Sequence, residues 1–143
     1  METTEYRSNV LIVDDQEPMR LLLAHYVSQD LHAEVNVAGT CEEALHLVDR
    51  KTYDVILLDL LMPGIGGFEV LRHIRRNSIH NKATPVIIVS ILVTSLGGEG
   101  AMGYDLAMEL GVDAIIPKPV DRSALIAAIN AALAKKPIHK ECC

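Results

Sequence analysis

The chain has 143 residues, half of them hydrophobic, with 3 cysteines, one phenylalanine, no tryptophan and a formal net charge of -6. That length suits one domain with an aliphatic core rather than two ordinary domains, and the acidic balance argues against a basic nucleic-acid-binding face. No apolar segment reaches the ~18 residues of a membrane span, the acidic start Met1-Glu2-Thr3-Thr4-Glu5 is not a signal peptide, and Cys41, Cys142 and Cys143 form no disulfide framework, so a reducing, cytoplasmic compartment is expected.

Residues 10–13 form an unbroken apolar run that ends in Asp14-Asp15 and reads as a strand buried on both faces. A helix should open near Pro18, since proline suits a first helical turn, and continue through Leu21, Leu22, Ala24, His25 and Val27. Residues 33–37 read as a second strand, more polar and therefore nearer a sheet edge. Thr40-Cys41-Glu42-Glu43 is a capping box opening a helix that buries Cys41, Ala44, Leu45 and Val48. Residues 53–59 form a third strand, ending in Asp59. The run Met62-Pro63-Gly64-Ile65-Gly66-Gly67 reads as a loop, followed by a helix that buries Phe68, Leu71 and Ile74. A fourth strand spans residues 85–90 and ends in Ser90, and a fifth spans 114–117, before Lys118-Pro119. The last helix takes Asp121 as its N-cap, buries Leu125, Ile126, Ile129 and Leu133, and stops at Lys135-Lys136-Pro137. Strands alternating with helical segments imply an α/β fold with a parallel sheet covered by helices on both faces. The expected organisation is a tail over residues 1–7, one domain over 8–135 and a flexible tail over 136–143.

Ligand chemistry in such a sheet gathers at the carboxyl ends of the strands. Asp14, Asp15 and Asp59 should therefore meet Lys118 at one edge. Three carboxylates in close quarters repel unless a cation joins them, and an all-oxygen set selects Mg²⁺ or Mn²⁺ over zinc. Each acid alone would read as a loop or cap residue, Lys118 as a snorkelling surface lysine and Ser90 as a turn cap. Three acids ending buried runs together favour a site.

With these residues in view, the chain resembles the response regulator receiver domains of two-component signalling. The resemblance rests on Asp14-Asp15, on Asp59 within Asp-Leu-Leu-Met-Pro-Gly-Ile-Gly-Gly, on Ser90 closing a strand and on Lys118-Pro119, in the family's order. It covers about residues 8–134. It implies a flavodoxin-like, doubly wound five-stranded sheet of order 2-1-3-4-5. Asp59 would be the nucleophile that takes a phosphoryl group from a histidine kinase or histidine phosphotransfer protein. Mg²⁺ would be held by Asp15, Asp59 and the Leu61 carbonyl, with Asp14 acting through water. Lys118 would bind a phosphoryl oxygen. Ser90 would swing inward onto the phosphorylated aspartate and bias the surface used by a downstream protein partner, which is not named by the sequence. The Lys118–Pro119 bond would be cis. The domain would be a signalling phosphoacceptor rather than an enzyme on other substrates, with no membrane partner and with homodimerisation open to it.

Four departures from the family pattern stand out. The interval between Ser90 and Lys118 is long, with extra residues expected within 91–103, where Gly97, Gly98, Gly100 and Gly103 cluster. Ile91 stands where a small residue is usual, so it either shields the site or turns away. Ile115 replaces a rotating aromatic, leaving the switch of Ser90, Ile91 and Ile115 unlike the usual one. Leu61 and Leu92, at positions that tune water attack on the acyl phosphate, offer water no partner, which implies a long-lived phosphoryl state. Two other readings compete: a receiver-like interaction module that is never phosphorylated, and an aspartyl-nucleophile phosphohydrolase of the haloacid dehalogenase kind. The latter needs a second acid where Leu61 stands.

Overall fold

A computed structural model of the chain describes residues 7–62, 66–91, 105 and 107–135. The expected tails (apart from Arg7), most of the long segment after Ser90, Leu92, and Cys142 and Cys143 lie outside the described residues. Five parallel strands, β1 (Ser8–Val13), β2 (Ala33–Ala38), β3 (Val55–Leu58), β4 (Val86–Ser90) and β5 (Ala114–Pro117), form one sheet in the order β2-β1-β3-β4-β5. Helices α1 (Glu17–Asp30), α2 (Cys41–Val48), α3 (Gly67–Arg76) and α4 (Arg122–Lys135) connect or follow them, and residues 107–109 are also helical. The fold is the expected doubly wound α/β sheet, and the more polar β2 is an edge strand.

Two-residue periodicity divides the strands between two cores. Leu11 and Val13 of β1, Ile56 and Leu58 of β3, and Val86 and Ile88 of β4 pack with Cys41, Ala44, Val48, Val70, Leu71 and Ile74 from α2 and α3. Their neighbours Val10, Ile12, Val55, Leu57, Ile87 and Val89 pack on the other face with Leu23, Val27, Leu125, Ile129 and Ala132 from α1 and α4. This explains why the strands read as continuous apolar runs: both faces are dry.

The local signals are realised with small shifts. Pro18 lies in the first turn of α1. Thr40 Oγ1 accepts the Glu43 N–H at 3.0 Å, while the Glu43 carboxylate reaches one residue past the cap, to Gly39 N–H at 2.7 Å. Asp121 caps α4 by accepting the Ala124 N–H at 2.8 Å. Leu45, Phe68, Ile126 and Leu133 are only partly buried, packing against the cores rather than within them. The third strand begins at Val55 rather than Tyr53, since Asp54 turns to bond Asn9. Gly67 is not loop but the first residue of α3, and Gly66 before it adopts φ +86, a conformation that favours glycine.

Candidate functional site

The register of the sheet assembles the site. Val13 of β1 pairs with Leu58 of β3, so Asp14 and Asp59 emerge side by side at the same level. Ser90 pairs with Pro117, which brings Lys118 past the end of β5 toward the same edge. The hydrogen bonds Asp14 N–H to Ala38 O (3.1 Å) and Asp59 N–H to Val13 O (2.9 Å) carry the strand ladder to the two acids.

Asp14 is fully buried and Asp59 nearly so, whereas Asp15 is exposed. The three offer carboxylate oxygens that all lie within 4.8 Å of one another. Lys118 spans the buried pair, with its Nζ 2.8 Å from Asp14 Oδ2 and 3.1 Å from Asp59 Oδ2. The second oxygen of each acid meets a backbone N–H: Gln16 N to Asp14 Oδ1 at 2.9 Å, and Leu61 N to Asp59 Oδ1 at 3.0 Å. Lys118–Pro119 is cis, as the resemblance implies.

These surroundings set the protonation balance. Burial pushes the Asp59 carboxyl above the usual carboxylate range. Asp14 adds to that push, against the Leu61 N–H, the Lys118 charge and a hydrogen bond with the Ser90 side chain. For Lys118, burial works against its charge, but the bonds and charges of Asp14 and Asp59 outweigh it and raise its pKa above the ordinary lysine value. The ammonium stays charged, and the pocket holds two buried carboxylates against one cation, with Asp15 at its mouth.

The three residues expected to form a switch fall in different environments. Ser90 is fully buried and already turned toward Asp59. Ile91 is 54% exposed. Ile115 packs against the core on the α2–α3 face. Leu61 is 45% exposed beside Asp59. Three residues that shape the site escaped the sequence reading. Gly67 lies so close to β3 that a Cβ there would stand 2.3 Å from Asp59 O and 2.5 Å from Leu60 Cα. Arg20 Nη1 donates to the Asp14 carbonyl at 2.8 Å, and Gly39 lies against that guanidinium. Only the unusual glycine density around Gly67 was a signal in the sequence.

Residues 10–130 match the response regulator receiver domain family, and the chain belongs to that family. It is similar to the transcriptional regulatory protein ResD of Bacillus subtilis, at 35% identity over 128 residues, covering 88% of this chain and 48% of ResD. The chain spans about half the length of the curated relatives it matches. Among solved structures, the receiver domain of the Francisella response regulator 1452 is similar at 27% identity and TM-score 0.76, covering 90% of this chain and 98% of that one. The receiver domain of the sensor histidine kinase PA1611 of Pseudomonas aeruginosa shares the fold at TM-score 0.78 and 20% identity, covering 91% of this chain and all of that one; it holds a magnesium ion in its active site cleft. The chain is thus a receiver domain of two-component signalling, with an acidic pocket typical of the phosphorylation site.

Proposed function

We propose that Asp59 is the phosphoacceptor and that a histidine kinase or histidine phosphotransfer protein is the donor. The observation that carries this reading is the single cluster of Asp59, Asp14, Asp15 and Lys118, in which one lysine bridges two buried acids. An Asp59 oxygen attacks phosphorus, the bond from phosphorus to the donor imidazole nitrogen breaks, and the imidazole leaves with the electron pair. The product is an acyl phosphate. Little covalent work is asked of the protein beyond positioning and charge neutralisation.

A divalent cation fits the donor set: three clustered carboxylates, all-oxygen chemistry and one acid exposed at the mouth of the pocket. Asp15, Asp59 and the Leu61 carbonyl would hold it. Asp14, whose two oxygens already serve Gln16 and Lys118, suits a water-bridged place. Mg²⁺ is the favoured ion, with Mn²⁺ chemically equivalent, and either would supply charge neutralisation to the phosphoryl oxygens. Lys118 would take another phosphoryl oxygen, and Ser90, buried beside Asp59, would bond the phosphorylated side chain. The resulting shift would be read by a protein partner at the surface beyond β4. The receiver unit spans residues 8–135 and acts in the cytoplasm, catalysing only its own phosphorylation and dephosphorylation; among the described residues no helix is long and apolar enough to cross a membrane.

Incubation with acetyl phosphate and Mg²⁺ should raise the intact protein mass by one phosphoryl group, and Asp59→Asn should lose the increase. No mass increase with acetyl phosphate, together with no binding of beryllofluoride in Mg²⁺, would leave the interaction-module reading in its place. Because Leu61 presents no polar group to water, the phosphoryl state should outlast a Leu61→Asn variant's in Mg²⁺ buffer. Equal or faster loss from the unmodified chain contradicts that.

A further inference from the structure

All four polar atoms of Asp14 have assigned partners: its N–H bonds Ala38 O, its Oδ1 accepts from Gln16, its Oδ2 accepts from Lys118, and its carbonyl accepts from Arg20 Nη1 at 2.8 Å. The last bond is the informative one. It comes from α1 and falls on the peptide that joins Asp14 to Asp15, so it fixes the plane from which the exposed Asp15 side chain departs. Arg20 is itself held. Its guanidinium lies across Gly39, where a Cβ would stand 2.7 Å from Nη1, 3.1 Å from Cζ and 3.4 Å from Nη2. Gly39 in turn is pinned by its N–H bond to Glu43 Oε1. We propose that Arg20, seated on Gly39, is a positioning residue: it sets the Asp14–Asp15 peptide so that Asp15 presents its carboxylate to the divalent cation. This rests on the reading of the acid cluster as a cation site.

The proposal predicts a sign that simple electrostatics does not. Arg20 places a positive charge beside the cluster, so by Coulomb's law alone its removal should tighten cation binding. Loss of a residue that orients a ligand should weaken it, by about tenfold or more for groups supporting a metal's ligands. Calorimetric titration of the full chain with Mg²⁺ separates the two, with circular dichroism reporting the folded fraction. Arg20→Met is expected to bind Mg²⁺ about tenfold more weakly, and Arg20→Lys to recover part of the loss through its remaining donor. Gly39→Ala keeps every charge and displaces only the flexible end of Arg20, so it should weaken binding in the same direction with the fold intact. Affinity equal to or tighter than the unmodified chain's in either Arg20→Met or Gly39→Ala overturns the proposal. Should the unmodified chain bind no Mg²⁺, the cation reading itself fails, and this inference with it.

Discussion

Asp59 concentrates the conflict between stability and function. Its carboxyl is buried and its pKa is raised, so the fold prefers the neutral acid. A group of that kind contributes stability that is fully present below its unfolded pKa and is lost as pH rises through the folded value. Above the folded pKa, without a cation, that contribution is gone and the ionised side chain is a liability. Asp59→Asn replaces it with a neutral isostere and should therefore raise stability in chelator-treated buffer, while removing phosphoryl uptake. Urea unfolding of both proteins across pH checks this. The difference between them should widen as pH rises through the folded pKa of Asp59 and close as acid protonates it; a variant whose advantage shrinks as pH rises would contradict the argument. The same residue was legible in the sequence because its run is apolar up to the carboxylate. Lys118 was legible as a cation at a strand end, although its bridging of Asp14 and Asp59 needed the register of five strands.

At the scale of elements, the site depends on how closely α3 approaches β3. Gly66 turns the chain with positive φ, and Gly67 donates its N–H to Leu60 O at 3.2 Å, while the Asp59–Leu60 backbone fills the space a Cβ on Gly67 would need. Neither a backbone carbonyl nor a backbone Cα can swing aside as a side-chain end can. Gly67→Ala must push the start of α3 away from the strand, at a cost of about 1–3 kcal/mol for overpacking. The displacement is transmitted to the peptide that carries Asp59 and to Leu61, whose N–H holds Asp59 Oδ1. The expected outcome is a lower urea midpoint together with slower uptake from acetyl phosphate in the molecules that remain folded. A variant with unchanged uptake would show that the helix yields without moving the strand. Sequence patterning shows that a glycine-rich segment precedes this helix, but not where the helix begins. That boundary is decided by an approach distance, which leaves no trace in periodicity. For the same reason the contact of Arg20 with Gly39 was invisible: it joins α1 to the end of β2 through space, while each residue alone looks ordinary.

Across the whole molecule, the two ends of the sheet follow opposite rules. The carboxyl end gathers like charges around Asp14, Asp15 and Asp59, which repel one another. The other end is closed by a buried polar knot. Asn81 Oδ1 accepts the Tyr53 N–H at 2.8 Å and the Thr84 hydroxyl at 2.9 Å, its Nδ2 donates to Val48 O at 2.8 Å and Lys51 O at 2.7 Å, and Ser78 supports it from below. This single side chain ties the end of α2, the entry to β3 and the approach to β4. The alternating strands and helices made the architecture readable from hydrophobic pattern alone, because burial on both faces leaves long apolar runs. The knot was not readable, since Ser78, Asn81 and Thr84 are polar residues in a connecting segment and look like surface loop until their burial is seen. Fully satisfied buried networks rigidify, and removing one member leaves the others desolvated without partners. Asn81→Ala takes the Asn81 oxygen from the Tyr53 N–H and a donor from two carbonyls, and should cost about 3 kcal/mol of folding stability. Its distance from the acids means that uptake per folded molecule should stay at the unmodified level. Paired measurement of urea unfolding and phosphoryl incorporation tests both halves. Against Asp59→Asn, which should gain stability and lose uptake, Asn81→Ala should do the reverse. If Asn81→Ala impaired uptake beyond its folded fraction, the two ends would be mechanically coupled through β3 rather than independent.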